Sequence, residues 1–192
     1  WFTSSNLIVF GSIPKLTKLP IPSRRLQNSK QTVLYRFKVS RVKEDAGYVA
    51  IGKVAFKVQT RGWVCVSNFN LNVSLDSGFS MPELSSRGAP YPHQNSAVFH
   101  LPLDVNVLPG VDKYFELRGD VVKGSPRASV VVTLLGDAKP ALDDRPTLEL
   151  GDYNFIWAGS PNGSVISHRA RSWSSGYLVP GLSPVGLREV LF

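Results

Sequence analysis

The sequence is poor in the residues that build disulfides, zinc sites and catalytic centres. It has one cysteine, Cys65, and three histidines, His93, His100 and His168. A single cysteine excludes an intramolecular disulfide framework and any multi-cysteine zinc site. The patterns His-Glu-x-x-His and Gly-x-Ser-x-Gly and a phosphate-binding glycine loop are also missing, and Cys65, between two valines, is predicted to be buried and inert. We therefore expect no enzyme activity, no cofactor and no metal.

Long apolar runs and N-terminal acidic residues are scarce as well. No run approaches the roughly 18 apolar residues that cross a bilayer, so no membrane partner is expected. Residues 1–62 carry 12 Lys and Arg against only Glu44 and Asp45, whereas residues 63–192 carry 10 basic and 12 acidic residues. A basic segment on a nearly neutral body favours a polyanion partner such as nucleic acid, although it also fits a solubilising terminus.

Alternating apolar and polar residues predict strands, and no helical pattern exceeds two turns. Residues 33–39 and 53–59 alternate with a period of two, and in 69–75 every second residue, up to Leu75, is predicted to face inward. Residues 128–135 are β-branched and apolar on both faces, which predicts a central strand. About ten such candidates, spaced by turn residues, predict an all-β sandwich or barrel.

The placement of proline divides the chain into three parts. Residues 1–32 contain Pro14, Pro20 and Pro22 and are predicted to form an extended, basic N-terminal arm on the surface or on a neighbouring molecule. Residues 33–179 form the predicted β-sandwich. Residues 180–192 form a C-terminal tail that ends in an apolar run.

Two basic segments are candidates for contacts with RNA. The arm carries five cations and no acidic residue between residues 15 and 30, so nothing local in sequence neutralises them. Residues 167–173 interleave cations with Trp173, which suits phosphate pairing and base stacking, although a surface loop with one anchoring Trp also fits. The candidate RNA-binding residues are Lys15, Lys18, Arg24, Arg25, Lys30, Arg169 and Arg171.

The long loop 76–96 and the tail are candidates for subunit contacts. The loop is polar and contains three prolines, and loops of this length are usually functional or form interfaces. Both segments carry apolar residues that a monomer has little reason to expose. We expect these to be buried against other subunits, and deletion of 187–192 to leave the fold intact. The candidate interface residues are Phe79, Met81, Leu182, Leu191 and Phe192.

Two further patterns have weaker interpretations. Four acidic residues around one loop could hold Ca²⁺, but a solvated acidic loop is the favoured interpretation; they are Asp137, Asp143, Asp144 and Glu149. The tripeptide at residues 118–120, Arg-Gly-Asp, matches an integrin-binding motif, but it also fits ordinary turn chemistry, which we favour.

The combination of a proline-broken basic arm, about ten short strands, long Pro-rich loops and an apolar tail resembles one family. It is similar to the single jelly-roll coat proteins of small icosahedral RNA viruses, in particular picorna-like plant viruses such as comoviruses, fabaviruses and cheraviruses. The resemblance implies a jelly roll, with 33–39 as its first strand and 128–135 as a central late strand. It implies assembly with copies of itself and other coat protein subunits around single-stranded RNA, in the virion and, during assembly, the host cytoplasm. A chain that begins with Trp1 is expected to be cut from a polyprotein or trimmed.

Two other functions remain open from the sequence. A viral movement or silencing protein would bind single strands without forming a shell. A carbohydrate-binding β-sandwich would use exposed aromatic side chains near acids and amides, and the segment Asp152, Tyr153, Asn154 and Trp157 has that composition.

Overall fold

The computed structural model describes residues 12–42, 47–80, 82–87, 89–91, 96–101, 105–141, 152–160 and 173–192. These residues form thirteen β-strands and no helix, which confirms the all-β prediction for this part of the chain. In chain order the strands are β1 (Pro14–Lys18), β2 (Ser29–Arg41), β3 (Tyr48–Arg61), β4 (Val64–Ser74), β5 (Pro82–Arg87), β6 (Ala89–Tyr91), β7 (Ser96–His100), β8 (Asn106–Val107), β9 (Lys113–Lys123), β10 (Ser129–Leu134), β11 (Phe155–Ser160), β12 (Trp173–Ser175) and β13 (Leu187–Leu191).

A five-stranded antiparallel sheet has the order β1-β2-β9-β4-β5. Its longest strands follow the predicted period of two, because Tyr35, Phe37 and Val39 of β2 are buried while Arg36 and Lys38 between them are partly exposed. The apolar residues therefore cover one face of the sheet, and charged residues lie on the other.

An eight-stranded antiparallel sheet is built around β3. Its main path is β12-β11-β3-β10-β13, with β7 and β8 paired to β3 and β6 paired to β7. The first half of β3 pairs with β11 and β8, and its second half pairs with β10 and β7. Strand β10 is hydrogen-bonded on both sides, to β3 and β13, which confirms the central strand predicted from residues 128–135.

Aromatic side chains join the two sheets in one core. The ring of Tyr35 lies 5.7 Å from that of Phe56, and the ring of Phe37 lies 6.2 Å from it. Phe37 also stacks on Phe115 of the neighbouring strand with ring centroids 4.6 Å apart. Since β2 and β9 belong to the first sheet and β3 to the second, the arrangement is consistent with a β-sandwich.

The described part of the predicted arm lies on the chain itself. Residues 14–18 form the edge strand β1, and the Leu16 amide donates to the Pro180 carbonyl at 2.8 Å. The Leu26 amide donates to the Phe192 carbonyl at 2.8 Å, and the Phe192 amide donates to the Arg24 carbonyl at 2.9 Å. The arm and the tail are thus hydrogen-bonded to each other.

Three local predictions were wrong. Cys65 is exposed, because it lies on the outward side of β4 opposite Val122. Leu75 is 50% exposed, because β4 ends at Ser74 and the alternation ends with it. Residues 82–87 of the predicted loop form β5, which pairs with β4 through its backbone.

Candidate functional site

Two of the five arm cations are neutralised by one carboxylate of the tail. The Lys18 Nζ lies 2.7 Å from Glu189 Oε2, and the Arg24 Nε lies 2.8 Å from Glu189 Oε1. Lys18 Nζ also donates to the Arg188 carbonyl at 2.6 Å. The side chain of Glu189 is only 2% exposed. No acidic residue lies near Lys18 and Arg24 in the sequence, as noted above, but the fold brings them a partner from the opposite end of the chain.

Burial and the charges of this contact shift the pKa values of two neighbouring groups, Glu189 and Tyr35. Burial alone would raise the pKa of Glu189, but the hydrogen bond and charge of Lys18, with the charge of Arg24, outweigh burial and hold that pKa below its ordinary value. Burial, and then the negative charge of Glu189, raise the pKa of the neighbouring Tyr35. Glu189 is therefore ionised at neutral pH.

The other arm cations face solvent. Lys15, Arg25 and Lys30 are exposed, and none of them forms an ion pair within the part of the chain that the structure describes. Arg169 and Arg171 lie outside the described residues. Trp173 is 2% exposed and packs in a small apolar cluster with residues of β3 and β11, so it cannot offer a face to a base.

Three of the five predicted interface residues belong to the chain's own interior, which corrects that prediction. Leu182 and Leu191 are part of the core, Leu191 with no exposed surface. Phe79 is buried, and its ring packs on Arg36, whose guanidinium carbon lies 4.9 Å from the ring centroid. Phe192, at 63%, is exposed and available for contacts. Met81 lies outside the described residues.

Phe79 covers a charge network on the outer face of the five-stranded sheet. Glu116 is completely buried and accepts hydrogen bonds from Arg36 Nε at 2.6 Å and Arg118 Nε at 2.5 Å. A buried carboxylate is stable only when its charge is paired and hydrogen-bonded, and the two guanidinium groups meet that need. Arg118, in the middle of β9, is therefore held in the sheet.

Residues of β2, β4, β5 and β9 line a cleft of about 780 Å³, which we name the amide cleft. Its centre is Asp120: Oδ1 accepts from the Gln31 amide at 2.8 Å and from Gln31 Nε2 at 3.2 Å, and Oδ2 accepts from Asn68 Nδ2 at 2.7 Å. Gln31 Nε2 also donates to the Asn68 carbonyl at 3.2 Å. The residues that line the cleft include Gln31, Asn68, Phe69, Asn70, Arg87 and Asp120.

The backbone is irregular on both sides of this cleft. Gln31 has a φ of 52° and Asn68 a φ of 50°, in the left-handed region that side chains other than Asn and Asp rarely adopt. The pairing register with β9 shifts at both places, between 29 and 32 in β2 and between 67 and 70 in β4. Two bulges therefore flank the same point of β9 and open the sheet there.

Asp120 is held as an anion by its neighbours. The hydrogen bond from Asn68, followed by that from the Gln31 backbone, lowers its pKa, and the charge of Lys30 acts in the same direction. The tripeptide at 118–120 thus forms part of a central strand, with its two charged residues bound within the chain. It is neither the turn we favoured nor an exposed adhesion loop.

The residues proposed for sugar binding from sequence are structural instead. Trp157 is buried and its Nε1 donates to the Ser175 carbonyl at 2.8 Å. Asn154 donates through its side chain to the Gly136 carbonyl at 3.0 Å, and Tyr153 donates to the Pro140 carbonyl at 3.1 Å. Trp157 therefore has no exposed ring face, and Tyr153 and Asn154 are bonded within the chain although partly exposed, while Asp152 is exposed.

The acidic loop likewise provides no metal site in the described residues. Asp137 is buried and accepts from the backbone amides of Asn154 at 2.8 Å, Phe155 at 3.1 Å and Gly176 at 2.8 Å. Its oxygens therefore bind the backbone of two other segments, at residues 154–155 and at residue 176. Asp143, Asp144 and Glu149 lie outside the described residues. Among the residues that the structure describes, no group of His, Cys, Asp and Glu is arranged to hold a metal ion.

Sequence reasoning missed the amide cleft, although one signal points to it. The apolar positions of β4 fall at Val64 and Val66 and then at Phe69, Leu71 and Val73, so the period-two pattern changes phase after residue 66. A change of phase within one strand is what an inserted residue produces. Asn68 lies at that insertion and tolerates the left-handed conformation better than most residues.

Comparison with known proteins adds no family. No protein-family model matches the chain, and no curated protein matches it. Across the described ranges, no helix has the length and apolar character needed to cross a membrane.

Proposed function

We propose that the chain is a structural coat protein, without enzyme activity, that assembles with copies of itself and with other coat subunits into an icosahedral shell around single-stranded RNA. It acts in the virion and, during assembly, in the host cytoplasm. The fold we propose for it is a jelly roll with added strands. Strand winding, exposed apolar side chains and the distribution of cations support this proposal.

The nesting of strand pairs supports the jelly roll. Strand β4 pairs with β5, the flanking β3 pairs with β7, and β2 outside them pairs with β9. These nested pairs alternate between the two sheets, as expected when one long hairpin is wound around a sandwich. Strands β10, β11 and β13 extend the second sheet beyond this winding.

The observation that carries the coat-protein proposal is a set of apolar side chains left outside a complete core. Trp63 is 69% exposed, Leu178 74%, Val185 84% and Phe192 63%. Three of them lie in the last fifteen residues, Leu178 and Val185 in turns and Phe192 directly after β13, on a backbone that the core holds in place through Leu182 and Leu191. Apolar groups presented on a fixed backbone suit lateral contacts between subunits.

The free cations of the arm support the RNA part of the proposal. Lys15, Arg25 and Lys30 are exposed in a segment whose backbone is hydrogen-bonded to the sandwich, so their charges are held at fixed positions on its surface. Such a surface attracts a polyanion without reading its sequence. The same feature fits a single-strand binding protein that forms no shell, so assembly is the property that separates the two functions.

Negative-stain microscopy and size-exclusion chromatography of the purified chain, alone and co-expressed with companion coat chains, test the proposal. We expect particles, and we expect Val185→Asp to abolish them while the far-ultraviolet circular dichroism stays unchanged. Ser77→Asp places the same charge at an exposed polar position and is the control. A stable monomer at high concentration, with no assembly in the presence of companion chains, would overturn the proposal; RNA binding by that monomer would favour the single-strand binding protein.

A further inference from the structure

We propose that the amide cleft is a binding site for a hydroxyl-rich saccharide. The proposal concerns the cleft between β2, β4, β5 and β9, and it does not depend on the proposed coat function. Its volume of about 780 Å³ lies in the range of sites that enclose a small molecule. The backbone, the fixed polar groups and the chemistry of the lining support this assignment.

The backbone at the cleft is strained where an ordinary strand would avoid strain. Gln31 and Asn68 both have positive φ values, of 52° and 50°, and both are bonded to the same carboxylate, Asp120. A residue such as Gln adopts this conformation at a cost in free energy, and such conformations cluster where a site must be held in shape. Two strained residues and two register shifts at one carboxylate therefore indicate a built site.

The polar groups of the cleft are fixed before any ligand arrives. Asp120 anchors the amide nitrogens of Gln31 and Asn68, so both side chains are held in place. Within the described residues, the amide oxygens Gln31 Oε1 and Asn68 Oδ1 make no hydrogen bond, and the guanidinium of the exposed Arg87 has no ion pair. Fixed acceptors are thus available to a ligand at little cost in conformational entropy, and the guanidinium of Arg87 adds a hydrogen-bond donor.

The mixture of groups selects for a saccharide among ligand classes. Sugar hydroxyls both donate and accept hydrogen bonds, and so match amide oxygens, an ionised carboxylate and a guanidinium at short spacing. Phe69, partly buried beside them, offers an apolar surface to the C–H face of a sugar ring. A purely apolar ligand would leave the polar groups unpaired, which is costly. A nucleic-acid strand would meet the negative charge of Asp120.

The test uses the full chain with two variants that affect the cleft in different ways. Asn68→Gly removes the amide but keeps a residue for which a positive φ is easy. Arg87→Ala removes the guanidinium group, a hydrogen-bond donor, from an exposed position in the edge strand β5. Arg127→Ala, an exposed arginine in the turn before β10, is the matched control. Urea unfolding of each variant shows whether the fold is kept.

The chain is applied to an array of neutral mono- to tetrasaccharides, and the best-retained saccharide is titrated by saturation-transfer NMR. We expect Asn68→Gly and Arg87→Ala each to weaken binding about tenfold or more, and Arg127→Ala to leave it unchanged. Retention of no saccharide, or equal binding by all three variants, overturns the proposal. Loss of oligouridine binding in Arg87→Ala, with no saccharide retained, also overturns it and assigns the cleft to RNA.

Discussion

At the scale of single residues, Glu189 determines how the two ends of the chain are held together. Its carboxylate contacts Lys18 and Arg24, which lie some 170 positions earlier in the sequence. Removing a buried partner leaves unpaired charges, but both cations here keep access to water, so the loss is moderate. Sequence inspection could not find this contact, because nothing near Lys18 or Arg24 in the chain is acidic.

The stability contributed by Glu189 should depend on pH. Because its pKa in the folded chain is below its ordinary value of 4.5, its ionised form stabilises the fold above that value, and this stabilisation is lost as the pH falls through the folded pKa. Glu189→Gln should therefore lower the free energy of unfolding by about 1–2 kcal/mol at neutral pH, and the difference from wild type should shrink in acid.

Urea unfolding of both chains from about pH 7 to about pH 3 measures this difference. The control is Asp112→Asn, since Asp112 and its partner Lys38 are both partly exposed, and its effect should be small throughout. A difference between wild type and Glu189→Gln that stays constant over this range would contradict the predicted role of the ionised carboxylate.

Residue patterns predicted the inward and outward faces of the strands well. They did not predict the surroundings of residues whose contacts come from other strands. The inward side chains Tyr35 and Phe37 follow from alternation, because burying one face of a sheet imposes a period of two. Phe79 was misjudged because its burial depends on a cation–π contact with Arg36, a residue of another strand. Asp120 was misjudged because its partners come from two strands on either side of β9.

At the scale of elements, the sequence predicted strands that carry an apolar face and missed those that pair mainly through the backbone. Strand β10 is rich in valine and lies, as predicted, between two neighbours. Strand β1 begins with a proline and lies at an edge, where proline is tolerated. Strand β5 has exposed and partly exposed side chains only, so it gives no alternating pattern.

The tail is the element whose interpretation changed most. Strand β13 pairs with β10, and Leu191 is fully buried while the adjacent Phe192 is 63% exposed. Deletion of 187–192 would therefore remove a strand and part of the core, so the expectation of an intact fold was wrong. Single substitutions at these two neighbours separate a role in folding from one in assembly.

We expect Leu191→Ala to lower the free energy of unfolding by about 2–5 kcal/mol, because it leaves a cavity in the core. Phe192→Ala should change it by less than about 0.5 kcal/mol, because its side chain is mostly in solvent. Urea unfolding measures both, and particle yield is then compared for Phe192→Ala and wild type. Similar losses of stability in the two variants would contradict the assignment of Leu191 to the core and Phe192 to the surface.

At the scale of the whole molecule, the net charge of +8 does not show where a polyanion would bind. Ion pairs remove Lys18 and Arg24 from the free cations of the arm, and Lys15, Arg25 and Lys30 remain exposed. The composition predicted a basic N-terminal third, but it could not separate paired from free cations, because the pairing depends on the folded position of the tail.

The salt dependence of RNA binding separates a local contact from a general effect of charge. Each phosphate that is neutralised on a single strand contributes about 0.7 to the slope of log affinity against log salt. Replacing Lys15, Arg25 and Lys30 with Ala should therefore flatten the slope for a short oligouridine by up to about 2 units. The matched control replaces three exposed cations outside the arm, Arg61, Arg127 and Lys139, and changes the net charge equally. Equal flattening by both triple variants would show that binding follows net charge, and no flattening by the arm variant would show that the arm serves only to hold the tail and the sandwich together.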